Sequence, residues 1–117
     1  MEKSFTEERR RYPRLSANFT ASYKIKNIPE NYDFSQTKNV GKGGVLLTTN
    51  RKFEAGTQLA LMVKFPFVSH RLEILATVVD SKEIAKGIIY ETRLAFSNLD
   101  KKFFQELGAF VEEKLGK

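Results

Sequence analysis

Leu15-Ser16-Ala17-Asn18-Phe19-Thr20-Ala21-Ser22-Tyr23-Lys24-Ile25-Lys26 decides the fold class. Apolar side chains stand at every odd position and polar ones at every even position. A strict period of two over this length predicts a half-buried β-strand, because successive strand side chains point to opposite faces. Downstream, Pro29 and Asn31 mark a loop, and residues 32–40 read as a weaker second strand. Gly41-Lys42-Gly43-Gly44 predicts a sharp turn, since glycine reaches the positive-φ region freely. Val45 to Thr49 then reads as a short strand.

A further turn falls at Glu54-Ala55-Gly56-Thr57. The next strand carries Leu59, Leu61, Val63 and Phe65 on one face and stops at Pro66. Residues 71–80 predict a fifth strand with Leu72, Ile74, Ala76 and Val78 inward. Residues 87–96 predict a sixth with Ile88, Tyr90, Leu94 and Phe96 inward. From Asp100 the period changes. Phe104, Leu107, Val111 and Leu115 recur at spacings of three and four, and Phe103 and Phe110 widen the stripe. That is an amphipathic helix with Asp100 as N-cap and Gly116 as stop. Gly108 inside it costs about 1 kcal/mol relative to alanine. Evenly spaced strands followed by one helix predict an all-β protein with a terminal helix, an antiparallel barrel plugged or flanked by that helix.

The 117 residues suit one domain: a mobile basic arm over residues 1–14 and a barrel with its helix over residues 15–117. Hydrophobic residues at 41% and charged residues at 29% are ordinary for a globular chain. The absence of cysteine excludes disulfides, thiolate metal sites and cysteine nucleophiles, and fits a reducing cytoplasm. The charged N-terminus has no apolar core of a signal peptide. The apolar runs are too short to span a bilayer, so no membrane insertion is expected. A net charge of +6 and a pI near 9.6 favour anionic partners without choosing among them.

Two motifs carry the chemistry. Arg10-Arg11-Tyr12-Pro13-Arg14 is an R-x-x-x-R. Pro13 disfavours the helical region for Tyr12, so the segment is expected to be extended, with Arg10 and Arg14 on one face. If the parity of the strand carries through Pro13, that face is the outer one. A guanidinium suits a guanine nucleotide: it donates two parallel hydrogen bonds to O6 and N7, stacks on the base, or clamps a phosphate. The second motif is Asn39-Val40-Gly41-Lys42-Gly43-Gly44. Glycines let backbone N–H groups approach an anion, Asn39 offers a donor and an acceptor, and Lys42 adds charge. No G-K-S/T opens a helix here, which excludes a Walker-type loop. Alone, the first motif equally suits a solvated arm and the second a plain hairpin. Their order, with a twelve-residue strand between, strengthens the pair.

With these motifs the chain resembles the PilZ family, whose pattern is R-x-x-x-R before the first barrel strand and Asp/Asn-x-Ser-x-x-Gly in a later turn. Arg10 and Arg14 match the first, and Asn39 and Gly44 match the ends of the second. The Gly56 turn and Leu94-Ala95-Phe96 before Leu99-Asp100 extend the likeness over most of the chain. The resemblance implies a six-stranded antiparallel barrel with a C-terminal helix. It also implies binding of the bacterial second messenger cyclic di-GMP by Arg9, Arg10, Arg14, Asn39, Gly41, Lys42 and Gly44. It gives Arg9, just before the motif, a role in whether one ligand or a stacked pair binds, and a third arginine favours the pair. The chain departs from the pattern at Gly41, where the family has serine. The missing hydroxyl is expected to weaken binding by up to about tenfold. Arg93 stands where family members often carry glycine.

No enzymatic activity, metal or cofactor is expected. His70 is the only histidine and is expected in an exposed loop, and nothing sets Glu7-Glu8 or Glu112-Glu113 across a cleft as an acid/base pair. The expected role is an effector whose arm orders around the ligand and so signals to a protein partner in the cytoplasm. The alternative is a PilZ-like interaction domain that binds no nucleotide. Nucleic-acid binding is not expected, because the aromatics fall mostly on predicted core faces rather than on a stacking surface.

Overall fold

The computed structural model describes residues 13–69, 73–97 and 99–116. Arg9, Arg10, His70 and Leu72, and with them most of the predicted arm, lie outside the described residues. The elements in chain order are β1 (Arg14–Ser16), β2 (Thr20–Ile25), β3 (Asp33–Gly41), β4 (Gly44–Thr49), β5 (Gln58–Val63), β6 (Glu73–Ala85), β7 (Ile89–Ser97) and α1 (Lys101–Lys114).

Six strands close a barrel in the order β2-β3-β4-β7-β6-β5, with β5 returning to β2, and every pairing is antiparallel. Closure leaves the six-strand ladder without a free edge. The inward faces supply the core. Leu59, Leu61, Val63 and Phe65 are all buried, as are Ile74, Ala76 and Val78, as the alternation of these two segments predicts. Ile88 is a correction: it sits in the β6–β7 turn and is 65% exposed. The inward position nearer that end of β7 is Thr92, whose hydroxyl bonds those of Thr49 and Ser81. Tyr23 is buried with its hydroxyl donating to Asn50 Oδ1 at 3.0 Å and accepting from Asn50 N at 3.1 Å. Burial pushes its phenol above the ordinary value, and the Asn50 backbone bond partly opposes this.

The twelve-residue strand expected over residues 15–26 is two strands. β1 pairs with the end of β3, Arg14 opposite Gly41 and Ser16 opposite Asn39. β2 pairs with the start of β3, Thr20 opposite Gln36. Four steps along the first chain meet three along β3, so one extra residue must bulge between Ser16 and Thr20. Thr37, fully buried, fills the break. Its Oγ1 accepts from Phe19 N at 2.9 Å and donates to the Ala17 carbonyl at 2.6 Å. Its backbone N donates to the Phe19 carbonyl at 2.9 Å.

Helix α1 starts at Asp100, whose carboxylate accepts from Phe103 N at 3.2 Å. Its buried stripe is Phe103, Leu107 and Val111, spaced by four. Leu115 is exposed in the final turn, and Phe104 turns toward Lys42 instead of the core. The helix packs over one end of the barrel. Phe103 and Phe110 pack against Phe65, Phe67 and Phe19, ring centroids 5.2–6.0 Å apart, and such contacts add to burial alone.

Candidate functional site

A row of side chains crosses the outer wall over five strands. Ser16 faces Asn39, Asn39 faces Leu46, Leu46 faces Arg93, and Arg93 faces Asp80. Residues directly opposite share a face of the sheet. Two bulges make this possible. In β3 the register slips between Thr37 and Asn39, so Thr37 points inward and Asn39 outward. In β6 it slips between Val78 and Asp80, so Val78 points inward and Asp80 outward. Bulges commonly re-aim side chains in this way.

The row floors a depression of about 440 Å³ lined by Arg14, Ser16, Asn39, Leu46, Asp80, Lys82, Glu91 and Arg93. Arg14 Nη1 donates to Asn39 Oδ1 at 2.7 Å. Arg93 Nη2 donates to Asp80 Oδ2 at 2.8 Å. Lys38 Nζ lies 3.4 Å from Glu91 Oε2. Positive charges outnumber negative ones among the lining side chains by one, which suits an anion. Among the described residues no group of three or more His, Asp or Glu side chains gathers to hold a metal ion.

The fold thus brings together the second motif arginine, Arg14, the motif asparagine, Asn39, and Gly41. Gly41 and Gly44 are strand residues with no positive φ, so the reason for glycine is space. A Cβ on Gly41 would fall 2.8 Å from the Pro13 carbonyl oxygen and 3.2 Å from Arg14 Cδ. Strand β1 therefore lies across the place where the family serine would project. A Cβ on Gly44 would fall 2.1 Å from the Leu94 carbonyl oxygen of β7. Lys42 does not join the depression. Its Nζ sits 4.7 Å from the centre of the Phe104 ring. Its Cδ lies where Gly108 lacks a side chain, 2.9 Å from an added Cβ, so the helical glycine makes room for it.

Asp80, Lys82, Glu91 and Ser16 carry no motif that marks them in the sequence. Arg93 stands out there only as a departure from pattern. The alternation Thr92-Arg93-Leu94 marks Arg93 as outward-facing, but no local signal joins it to Asn39.

A PilZ domain model matches residues 8–113. The chain belongs to the PilZ domain family. No curated protein sequence matches it. Among solved structures it is similar to the Bacillus subtilis inhibitor of motility MotI/DgrA, at 20% identity over 89% of this chain and 50% of that one, with a TM-score of 0.73. It is similar to the PilZ domain of Escherichia coli YcgR with c-di-GMP, at 18% identity over 93% of this chain and 98% of that one, TM-score 0.62. It is also similar to the K. pneumonia MrkH–c-di-GMP complex, at 12% identity over 90% of this chain and 52% of that one, TM-score 0.67. The chain therefore spans about half the length of MotI/DgrA and of MrkH. No helix among the described residues is long and apolar enough to cross a membrane.

Proposed function

We propose that the depression receives cyclic di-GMP and that the domain is a receptor without catalysis. The observation that carries this reading is the Arg14 guanidinium held on Asn39 above Leu46, at the point where the R-x-x-x-R arm enters β1. Arg14 and Arg10 bind guanine or phosphate, with Arg9 completing the cation set. Asn39 reads a base edge. Gly41 and Gly44 set how closely the strands around the depression approach, and Lys42, which lies outside it against Phe104, adds only to the long-range positive field. Two of the similar structures carry c-di-GMP, which supports the choice of ligand. Binding draws the arm onto the wall and changes the surface offered to a protein partner.

Isothermal titration of the chain with cyclic di-GMP tests the reading. Arg14→Ala removes a charge-assisted donor and is expected to weaken binding by about tenfold to a hundredfold. Asn39→Ala is expected to weaken it less, since it withdraws a neutral group. The thermal midpoint serves as the folding control. No heat from the wild-type chain at high micromolar ligand would refute the reading. It would favour an interaction domain without nucleotide, a view that the Asp80 carboxylate in the depression supports, since it repels an anion.

Gly41→Ser provides a second test. Restoring the family hydroxyl is expected to lower affinity by about tenfold, because the new Cβ displaces Pro13 and carries Arg14 away from Asn39. Tighter binding by this variant would mean that β1 yields readily and that the hydroxyl contact dominates.

A further inference from the structure

Arg93 belongs to neither motif, yet it enters the depression from the side opposite Arg14. Leu46 lies between them, opposite Asn39 on β3 and opposite Arg93 on β7. Asn39 holds the Arg14 guanidinium. Two guanidinium-bearing positions therefore flank one apolar side chain across two strand spacings, about 10 Å. A base resting on Leu46 meets a cationic fork at either end, and a cyclic dinucleotide placed there meets one at each of its two phosphates.

Asp80 restrains the second fork. Simple alternation after the inward Val78 would turn Asp80 inward as well. The bulge turns it out, directly opposite Arg93. The resulting ion pair is 2.8 Å long, with its side chains 37% and 49% exposed. A pair so exposed contributes little to stability, so the barrel does not depend on it. Asp80 also halves the positive excess that the lining would otherwise have.

We propose that Arg93 is a ligand-contacting residue and that Asp80 is its built-in competitor. The guanidinium exchanges the Asp80 carboxylate for the ligand, and this exchange sets the affinity. The inference rests on the cyclic di-GMP reading above. Because the exchange trades one anion for another, the second anion must outbid the first, which makes the site selective for a doubly charged ligand over a singly charged one.

The test is titration of the full chain with cyclic di-GMP, and with 3′,5′-cyclic GMP, whose single diester carries one charge, as a comparator, for wild type, Arg93→Ala, Arg93→Lys, Asp80→Asn and the Arg93→Ala/Asp80→Asn double variant. Arg93→Ala is expected to weaken cyclic di-GMP binding by about tenfold or more. Arg93→Lys keeps the charge but loses the fork, and is expected to fall between the two. Asp80→Asn is expected to tighten binding by about threefold to tenfold and to narrow the preference over 3′,5′-cyclic GMP. That gain is expected to vanish in the double variant. Binding by Arg93→Ala or Arg93→Lys as tight as wild type overturns the proposal while leaving the ligand reading intact. A gain from Asp80→Asn that persists without Arg93 also overturns it, since Asp80 would then act only as a repelling charge. If the wild-type chain takes up no cyclic di-GMP, both this proposal and the ligand reading fail together.

Discussion

Gly44→Ala is expected to lower stability by about 3 kcal/mol or more, a large share of the roughly 5–15 kcal/mol that holds a small domain folded. The added methyl would fall 2.1 Å from the Leu94 carbonyl oxygen, 3.2 Å from Leu94 C and 3.3 Å from Ala95 Cα. All three are backbone atoms, so no rotamer change relieves the clash. The β4–β7 seam must open instead, at the pair Gly44–Ala95 and at the adjoining bond from Phe96 N to the Gly43 carbonyl, 3.0 Å long. A closed barrel cannot open a single seam without straining the neighbouring ones. Urea denaturation checks this through a lowered midpoint at unchanged slope. A midpoint equal to that of wild type would mean that β4 and β7 do not approach so closely. The result also bears on the motif: Gly44 serves it by letting two strands close, and so by setting Arg93 beside Leu46.

Thr37→Val is expected to cost roughly 2–4 kcal/mol, although the two side chains have nearly the same shape. Thr37 Oγ1 serves Phe19 N and the Ala17 carbonyl at once, in the break between β1 and β2. Valine leaves both groups without their partner in a largely dry place, and each such loss costs about 1–3 kcal/mol. Thr37→Ser keeps the hydroxyl and drops one methyl, so it is expected to lose only about 1 kcal/mol. The contrast between the two variants, read by denaturation, isolates the hydroxyl. Valine behaving like serine would count against the bridge. The same substitution loosens β1, which carries Arg14, and is therefore expected to weaken ligand binding through a residue that touches no ligand.

These two sites show why some regions of the molecule were legible in the sequence and others were not. The apolar face of β5 and most of that of β6 follow from alternation alone, because which way a strand side chain points depends only on the local extended backbone. The Asp100 cap and the helical period are local for the same reason. Alternation across residues 15–26 also holds, with Leu15, Phe19, Ala21 and Tyr23 all packed inward. Yet the ladder is broken there, because facing is a property of one chain segment and pairing is a property of two.

The sequence by itself therefore settled the barrel class, the terminal helix and the inward faces of β2 and β5. Only the tertiary structure decided the register. The bulges beside Thr37 and Val78 shift the partner strand by one residue and turn Asn39 and Asp80 outward. Backbone contacts at Gly41 and Gly44 fix how near β1 and β7 can come. Such distances depend on atoms far apart along the chain, and no local pattern encodes them.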